Sequence, residues 1–419
     1  MSSTGRSSRR SLSSLSSTRF DALSLGVGGA DNRQPIVIEV GTKLTKVGYA
    51  GEFMPRAIIR TEVFDGHRMQ PVFDKNRSSE DQYRILFMFF ERVIFKNLLA
   101  VAKERHIVIV ESVLEPTEKR NLIARVLFDG LDAPSVLFAP SHLMATMPYA
   151  ASNALVIDIG FREAVVIPII FGVTALNSFE VSDVGASRVE RRVVELLYKY
   201  GEVTTAGGGT RKLDENDEKL LFENNVVEDI VVKYCFTTQF ARGAQLRAAE
   251  YSPENCALKP PCDVFVPLGS EMLRVPGFIR EVAAEILFEH NDDDKSLPQL
   301  IVDSVLRCPI DCRRSLLEGI ITVGGLTKMP GFLARFRQEI LALLSETPKL
   351  HELKQVRFFR LPDTPMELVA NWVGGSLFGA LEILPYRCSQ REEWISKKFV
   401  PDWITNIMNN SDKNASKSR

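Results

Sequence analysis

The sequence has few residues of the kinds that build metal centres or disulfide frameworks. Its 419 residues include six cysteines and five histidines, with no CxxC pair and no close group of histidines. Zinc sites need several such ligands at short spacing, and disulfide scaffolds need many cysteines in a short chain. Neither a metal site nor a disulfide framework is therefore predicted, and we expect reduced thiols, as in the cytosol.

The sequence also lacks an excess of either charge and lacks a long apolar run. Fifty-two basic and 53 acidic residues leave a formal net charge of −1, so no overall field attracts nucleic acid or anionic lipid. No stretch approaches the roughly 18 to 20 apolar residues of a membrane span. The stretch "ILFMFFERVIF" is interrupted by Glu91 and Arg92 and predicts a buried helix. We expect no nucleic-acid partner and no membrane insertion.

The two ends of the chain have the composition of disordered tails. The first twenty residues hold four arginines, nine serines and no acidic residue, a composition shared by import peptides and disordered segments. Leu12, Leu15 and Phe20 make a thin apolar stripe for an import helix. We therefore predict disordered tails over residues 1–34 and 409–419. Import into an organelle stays as an alternative, which N-terminal sequencing of the protein from cells would decide.

What the sequence does contain is a set of short apolar runs bounded by turns. They are typical of buried strands in a parallel or mixed sheet, and helical patterns lie between them. A chain of this length with 45% apolar residues has room for two or three domains or one large two-lobed unit. The pattern predicts an α/β protein whose strands include "IVIEV", "HIVIVES", "ALVIDIG" and "GIITVGG".

Two of these runs begin segments that repeat one another. "IVIEVGTKLTKVGYAG" and "LVIDIGFREAVVIPIIFG" each read as a strand with an acidic residue, a glycine turn and a second strand. This repeat predicts duplicated halves whose hairpins face each other across a cleft. A third glycine turn, "ITVGGLTKMPG", leads into a predicted helix near Phe332 to Leu344, where backbone amides suit an anion. Together the three turns could clamp a metal-bound polyphosphate, although each hairpin taken alone needs its glycines for the turn.

The order of these motifs resembles the actin family, within the larger superfamily of actins, sugar kinases and heat-shock ATPases. The resemblance covers about residues 35 to 400 and implies a duplicated α/β fold with two lobes around a nucleotide cleft. It implies a first lobe at 35–157, a second lobe with a connector at 158–384, and a C-terminal return to the first lobe at 385–408. It is carried by "IEVGTKLTKVGYAGEFMPRAII", "ALVIDIG", "IDCRRSLLEGIITVGGLTKMPG" and "NWVGGSLFGAL".

The resemblance also implies a set of nucleotide-binding residues. In the family, ATP or ADP with Mg lies between the two hairpins and the third glycine turn. No catalytic residue and no separate metal site is predicted for this chain. The positions that match the family's nucleotide site are Glu39, Gly41, Thr42, Lys46, Asp158, Gly160, Gly185, Gly324 and Gly325.

Several departures from the family pattern predict that the chain is not an enzyme. Ser141 stands where the family has a glutamine that positions the attacking water, and serine is too short for that role. The tip of the second hairpin reads "FRE", Phe161 to Glu163, in place of a glycine-rich turn with an aspartate. Losing such groups typically costs orders of magnitude in rate. We expect no meaningful nucleotide turnover.

Other departures leave nucleotide binding open. Val231, Val232 and Leu368 match family positions that contact adenine and ribose, and their aliphatic side chains cannot hydrogen-bond the base. Lys43 replaces a tip glycine, and it either grips a phosphate or fills the phosphate's place. The two expectations are a cleft that holds ATP or ADP with Mg and a cleft that holds no cofactor.

A shortened interval predicts how the protein assembles. The interval 61–105 is a few tens of residues shorter than the matching interval of the family. This difference in length implies a reduced outward small subdomain. An actin filament is a head-to-tail assembly, so a subunit with one good end stops growth. We expect docking through the C-terminal half and the region of Trp394 and Trp403, with apolar residues of "ILFMFF" as candidates for the opposite contact.

Within the family, four further stretches resemble the actin-related proteins at the pointed end of dynactin. This resemblance implies a non-catalytic, cytoplasmic and cytoskeletal scaffold. Its implied partners are dynactin's actin-like filament subunit, the other pointed-end subunits and, indirectly, dynein. The alternative is a working ATP-hydrolysing or phosphotransferase member of the superfamily. The stretches are "ESVLEPTEKRNLIARVLF", "APSVLFAPSHLMA", "IGFREAVVIPI" and "RCPIDCRR".

Overall fold

The computed structural model describes residues 33–205, 207–290 and 295–401. The predicted tail 409–419 and all but the last two residues of the predicted tail 1–34 lie outside the described residues, as does Trp403. Within the described residues, the strands are β1 (Ile36–Val40), β2 (Leu44–Tyr49), β3 (Ala57–Arg60), β4 (Glu62–Phe64), β5 (Met69–Pro71), β6 (Ile107–Glu111), β7 (Ser135–Pro140), β8 (Ala154–Ile159), β9 (Ala164–Ile170), β10 (Val173–Thr174), β11 (Glu180–Ser182), β12 (Glu202–Thr204), β13 (Thr210–Arg211), β14 (Val264–Leu268), β15 (Glu271–Val275), β16 (Ile320–Val323) and β17 (Ser389–Gln390). The α-helices there are α1 (Ser79–Glu91), α2 (Thr117–Arg125), α3 (Ser141–Thr146), α4 (Ala186–Tyr200), α5 (Glu215–Glu223), α6 (Val226–Lys233), α7 (Phe240–Ala248), α8 (Gly277–Val282), α9 (Leu297–Arg307), α10 (Ile310–Leu317), α11 (Phe332–Glu346), α12 (Thr364–Leu368), α13 (Ala370–Gly379), α14 (Leu384–Arg387) and α15 (Arg391–Lys397).

The two main sheets are built on the same unit. In one, of order β17-β7-β6-β1-β2-β3, strand β1 is antiparallel to β2 and parallel to β6. In the other, of order β10-β9-β8-β16, strand β8 is antiparallel to β9 and parallel to β16. The four apolar runs predicted as strands are β1, β6, β8 and β16, so the predicted α/β class and duplication are confirmed. We call the parts built around these sheets the first lobe and the second lobe.

Each lobe has its own apolar core. In the first lobe, α1 buries Phe89 and Phe90 beside Phe128. In the second, α11 buries Phe332 and Phe336, whose rings stack with centroids 5.2 Å apart. Strands β1, β6 and β8 are apolar except for one carboxylate near the end of each, because both faces of these sheets are covered, as is usual for parallel pairing.

The interval 61–105 is short and returns quickly to the core. It contains β4 and β5, which form a separate two-stranded sheet of three residues each, and then α1. Ile85 and Leu86 in the "ILFMFF" stretch of α1 are at most 1% exposed. The prediction that this stretch offers an exposed contact is therefore wrong, because its large side chains face the core, and the buried-helix interpretation is correct. Exposed apolar side chains elsewhere in the interval are Phe95, Leu99, Val101 and the cross-strand partners Phe64 and Met69.

Helix α13 packs tightly against α3 at the base of the two lobes. A Cβ atom on Gly374 would lie 1.8 Å from the carbonyl oxygen of Met144, and one on Gly375 would lie 2.4 Å from a methyl group of Val110. No side chain larger than hydrogen fits at such distances. The Trp372 indole N–H donates to the Val37 carbonyl oxygen over 3.0 Å and ties α13 to β1.

The chain then returns to the first lobe. Strand β17 pairs with β7, and the Trp394 ring of α15 stacks on Phe128 with centroids 5.7 Å apart. The indole N–H of Trp394 donates to Asp129 over 2.9 Å. These contacts make the C-terminal residues part of the first lobe's core and sheet.

Three features that the sequence does not predict concern the described part of the chain: disulfides, a metal site and a membrane-spanning helix. All six cysteines lie within it and are free thiols, and burial raises the pKa of Cys235 to about 12. Over the same residues, no group of three or more His, Cys, Asp or Glu side chains is placed to hold a metal ion. None of the helices described is both long enough and apolar enough to cross a membrane.

Candidate functional site

A cleft of about 1420 Å³ lies where the two repeated hairpins meet. The β1–β2 hairpin lines it from the first lobe and the β8–β9 hairpin from the second. Eight of the nine predicted site residues line this cleft, and Gly185 is the one that does not. The eight are Glu39, Gly41, Thr42, Lys46, Asp158, Gly160, Gly324 and Gly325.

Glycine closes each hairpin at its first turn position. The Gly41 N–H donates to the Leu44 carbonyl oxygen over 3.1 Å, and the Gly160 N–H donates to the Glu163 carbonyl oxygen over 2.9 Å. A Cβ atom on Gly41 would lie 2.6 Å from that Leu44 oxygen. Gly41 is thus required by the tight turn itself, whatever the cleft binds.

Gly185 serves packing behind the second hairpin. It precedes α4, and a Cβ atom there would lie 2.7 Å from the Phe161 carbonyl oxygen. The next two amides, of Ala186 and Ser187, donate to the carbonyl oxygens of Gly160 and Phe161 over 3.1 and 2.8 Å. The first free amides of α4 therefore bind the hairpin, where a helix N-terminus often binds an anion.

The floor of the cleft carries two carboxylates. Lys46 Nζ lies 2.6 Å from Glu39 Oε1, across the β1–β2 pair, and Asn371 Nδ2 donates to Asp158 Oδ2 over 3.0 Å. Burial raises the pKa of Glu39 above its ordinary value, although Lys46 opposes this. Glu39 Oε2 and Asn371 Oδ1 are buried with no hydrogen-bond partner. Two acceptor oxygens on the floor thus suit a cation or a donor that the protein itself does not supply.

Ser141 and His142 lie at the start of α3, beside this floor. His142 Nε2 is 3.3 Å from the Val165 carbonyl oxygen, and Ser141 Oγ is 3.2 Å from His142 Nδ1. Because a carbonyl only accepts, Nε2 carries the proton and Nδ1 accepts from the Ser141 hydroxyl. Burial lowers the pKa of His142, so the ring is neutral near pH 7. The only hydrogen of the Ser141 hydroxyl is donated to His142, so its oxygen can contact a water only as an acceptor.

The tip of the second hairpin brings bulk and charge to the cleft. Phe161, Arg162 and Glu163 all line it. Burial raises the pKa of Glu163, and the nearby carboxylates Glu115, Asp183 and Asp158 raise it further, in that order. The tip therefore brings one aromatic ring, one cation and one carboxylate to the cleft.

Lys43 at the first tip is bound to the opposite lobe. Its Nζ lies 2.6 Å from Glu190 Oε1 and 3.3 Å from Glu228 Oε2, and it sits 4.5 Å from the centre of the Phe161 ring. Arg60 Nη2 lies 2.8 Å from the same Glu228 oxygen. Both glutamates are far from Lys43 in sequence, so no local pattern could have indicated them.

The third glycine turn is also fixed by close packing. Gly324 has a φ of +101°, and a Cβ atom there would lie 2.0 Å from the Ile159 carbonyl oxygen. Gly325 has open space beside it. The predicted helix after this turn is α11, which runs from Phe332 to Glu346.

The end of the cleft near α6 and α12 is apolar. Val231 is buried, Leu368 is 38% exposed and Val232 is 71% exposed. Beside them, Lys328 forms an ion pair with Glu367. Lys328 is therefore already neutralised by the protein, and the aliphatic side chains offer no hydrogen bond to a base.

The model of the protein family described as Actin matches residues 80–398. That range is well over half of the sequence. The chain belongs to the actin family. The first hairpin, β1–β2, precedes the matched range, which includes the second hairpin, the third glycine turn and α13.

Several curated relatives match along most of the chain. Actin-related protein 10 of Dictyostelium discoideum is 24% identical over 90% of this chain and 91% of that protein. Putative actin-29 of the same organism is 23% identical over 86% and 94%, and Actin-like protein 9 of Mus musculus is 22% identical over 86% and 85%. The predicted membership of the actin family and its fold are confirmed.

The cofactor of the actin fold, a nucleotide with Mg, can be tested against these residues. The floor fits binding, because Glu39 Oε2 is a buried acceptor without a partner and Lys46 and Asp158 lie beside it. Two features oppose turnover: Lys43 at the first tip is engaged with two glutamates, and the short Ser141 side chain beside the floor donates its one hydrogen to His142. A bound Mg-nucleotide would supply phosphate charge that both hairpins can contact.

Proposed function

We propose that this actin-family protein is a non-catalytic scaffold subunit that caps the pointed end of the actin-like filament of dynactin. In this role it supports dynein-driven transport on microtubules in the cytoplasm. The observation that carries the proposal is the reduced interval 61–105. Between β3 and the buried helix α1, only β4 and β5 project, with three residues each.

A reduced outward part has a direct consequence for assembly. In a head-to-tail filament, each subunit offers one surface to the neighbour before it and a different surface to the neighbour after it. A subunit that keeps one surface and loses the other joins once and recruits no further copy. We assign docking to the second lobe and the C-terminal return near Trp394.

The partners in this proposal come from the family resemblance and from the relatives. They are the actin-like filament subunit of dynactin, the other subunits at its pointed end and, indirectly, dynein. The name of the Dictyostelium relative, Actin-related protein 10, supports an actin-related protein in place of a conventional actin. The two-stranded sheet with its exposed Phe64 and Met69 is left for partners that are not actin-like.

The absence of catalysis in this proposal rests on the floor and the second tip. An attacking water needs a positioned acceptor and a donor near the transferred phosphate. Ser141 donates its one hydrogen to His142, and the resemblance puts Phe161 to Glu163 in place of a glycine-rich turn with a metal-holding aspartate. The working-ATPase alternative is favoured only by the retained Glu39, Lys46 and Asp158.

We further propose that these retained residues form a binding floor for Mg-nucleotide. Glu39 and Asp158 would face the cation, and Lys46 would face a phosphate. The backbone of Gly41, Thr42, Gly160, Gly324 and Gly325 would line the ligand, with Gly185 holding the second hairpin in place from behind.

Labelling of filament ends tests the capping role. Purified protein is added to filaments of dynactin's actin-like subunit, and electron micrographs are scored for labelled ends and for elongation. Label at a single end with elongation blocked there is expected. Label along the sides, at both ends or in the interior would contradict the proposal, and interior label would also contradict the reduced outward surface.

Two exposed aromatic residues provide matched variants for this assay. Tyr386 in α14 is 86% exposed on the C-terminal return, and Phe64 in β4 is 55% exposed on the reduced interval. Tyr386→Ser should weaken end binding, because it removes apolar area from the docking side. Phe64→Ser should leave end binding intact and reduce recovery of the non-actin partners in a pull-down. The reverse pattern would mean that the two ends are assigned the wrong way round.

A further inference from the structure

The rim of the cleft carries charged side chains for which capping gives no role. Lys43 and Arg60 come from the first lobe, at the β1–β2 tip and the end of β3. Glu190 and Glu228 come from the second lobe, in α4 and α6. Opposite charges therefore meet across the space between the lobes.

These groups are partly shielded from water. The side chain of Glu190 is 12% exposed, and those of Lys43 and Glu228 are both 23% exposed. The Phe161 ring covers the Lys43 ammonium at 4.5 Å from its centre. Ion pairs in such surroundings are screened less by salt than pairs on an open surface. The aromatic face adds a favourable contact for the same cation.

The charges in the group balance. Two cations face two carboxylates, and Glu228 contacts both cations. Burial acts to raise the pKa of Glu228, but Arg60 and Lys43 outweigh it and hold that pKa below its usual range. The network therefore remains ionised at neutral pH and leaves no buried charge uncompensated.

Both ends of the network are anchored to rigid elements. The Thr61 N–H donates to the Lys43 carbonyl oxygen over 3.0 Å, and the Thr61 hydroxyl donates to the Gly41 carbonyl oxygen over 2.9 Å, so the first tip is held by the strand region beside it. On the other side, Glu190 lies in α4, whose first amides bind the second tip. Lys43 thus links one hairpin tip to the other through α4.

We propose that Lys43, Arg60, Glu190, Glu228 and Phe161 form a latch that holds the two lobes closed without nucleotide. Two lobes that meet at facing hairpins otherwise depend on a shared polyphosphate to bridge them. Here protein side chains make that bridge, so closure is built into the chain. A capping subunit with this latch keeps one shape whether or not the floor holds a ligand.

Hydrogen exchange on the protein without nucleotide tests the latch. Lys43→Met keeps the length of the side chain and removes its charge. It should raise exchange of the amides in 41–46 and 226–233 about tenfold, because local opening controls exchange there. Small-angle scattering of the same variant should give a larger radius of gyration. Lys75→Met is the matched control, since Lys75 is an exposed lysine on the same cleft, and it should change neither reading.

A charge swap shows whether the effect comes from the pair. Lys43→Glu should open the cleft more than Lys43→Met, since it places three carboxylates together, and Glu190→Lys added to it should restore much of the protection. If Lys43→Met does not fold, Glu190→Gln and Glu228→Gln remove the partners from the other side, and the same exchange pattern is expected.

Two results would overturn the latch. One is exchange in Lys43→Met that equals that of Lys75→Met. The other is a wild-type protein that is open alone and becomes protected only when Mg-ATP is added. Neither result depends on filament ends, so the latch and the capping role can fail separately.

Discussion

The floor and the rim of the cleft are held by different kinds of contact. At the floor, α13 meets α3 through Gly374, with no room for a side chain, and Trp372 is bonded to the β1 backbone. At the rim, side-chain charges such as Lys43 and Glu190 connect the lobes. Backbone contact fixes one geometry, whereas ion pairs tolerate substitution and respond to solvent. The floor is thus fixed by contacts that leave no room for a larger side chain, and the rim is held by contacts that a single substitution can remove.

The largest effect is expected where the floor has no space. Gly374→Val together with Gly375→Val should give insoluble or proteolysed protein, because both Cβ atoms would overlap neighbouring atoms. The double substitution should lower the free energy of unfolding by more than about 4 kcal/mol. Gly325→Val is the control, since a Cβ atom on Gly325 would have no neighbouring atom within 4 Å, and its thermal unfolding should change little. A soluble double variant that still binds partners would show that the α13 contact is incidental.

The next largest effect concerns ATP turnover, for which the floor keeps some of the needed residues and the tips do not. Extensively purified protein should show no ATP turnover above a blank, measured as phosphate release. Ser141→Gln alone should not restore turnover, because the second tip still reads Phe161 to Glu163 in place of the glycine-rich turn with an aspartate that the family resemblance implies. Turnover at the level of a conventional actin, in wild-type protein, would restore the ATPase alternative.

Nucleotide binding at the floor should appear as a difference in stability. Asp158→Ala should lose the stabilisation by Mg-ATP, which at a hundredfold excess over Kd is about 2.7 kcal/mol for a competent site. It should also lower stability without nucleotide, because it leaves the buried Asn371 amide without its acceptor. Asn371→Ala breaks the same hydrogen bond and keeps the carboxylate, so its nucleotide-dependent shift should remain. Equal losses for Asp158→Ala with and without Mg-ATP would indicate that Asp158 is structural only.

The smallest effect is expected at the rim, in the pH dependence of Glu228. Its pKa is lower in the folded protein than in a free glutamate, because Arg60 and Lys43 outweigh the effect of burial. Its contribution is therefore present above the unfolded pKa of about 4.3 and is lost as pH falls through the lower folded pKa. Near pH 7, the free energy of unfolding of the wild type should exceed that of Glu228→Gln by about 1 kcal/mol. That gain, measured by denaturant unfolding, should vanish in acid, and a gain that persists there would exclude the ion pair as its source.

Local patterns in the sequence are enough to predict the hairpins but not the rim. The glycines of both turns and the apolar strands are visible in the sequence. They are enough to predict β1 and β8, and with them the positions of Glu39 and Asp158 at the two hairpins. The partners of Lys43 cannot, because Glu190 and Glu228 are brought to it only by the packing of α4 and α6. From sequence, Lys43 is expected to grip a phosphate or fill its place, and no pattern distinguishes these from an ion pair.

Packing also decides two features for which the sequence allows more than one interpretation. The "ILFMFF" stretch suits either a buried helix or an exposed contact, and only the core around Phe128 shows that α1 faces inward. No pattern in the sequence distinguishes a surface His142 from a buried one. Its effect on Ser141 depends on the Val165 carbonyl, which a different strand supplies. The only sequence feature that could have indicated the hydrogen bond between Ser141 and His142 is that the two residues are adjacent in the chain.

The late return of the chain to the first lobe has a consequence for synthesis on the ribosome. β1 and Phe128 are made early, but the side chains that cover them, Trp372 and Trp394, come near the end of the chain. At roughly 5 to 20 residues per second, the early segments wait on the order of tens of seconds with apolar surface uncovered. The first lobe therefore cannot finish folding until almost all of the second has been translated, which makes its nascent form a natural client for chaperones.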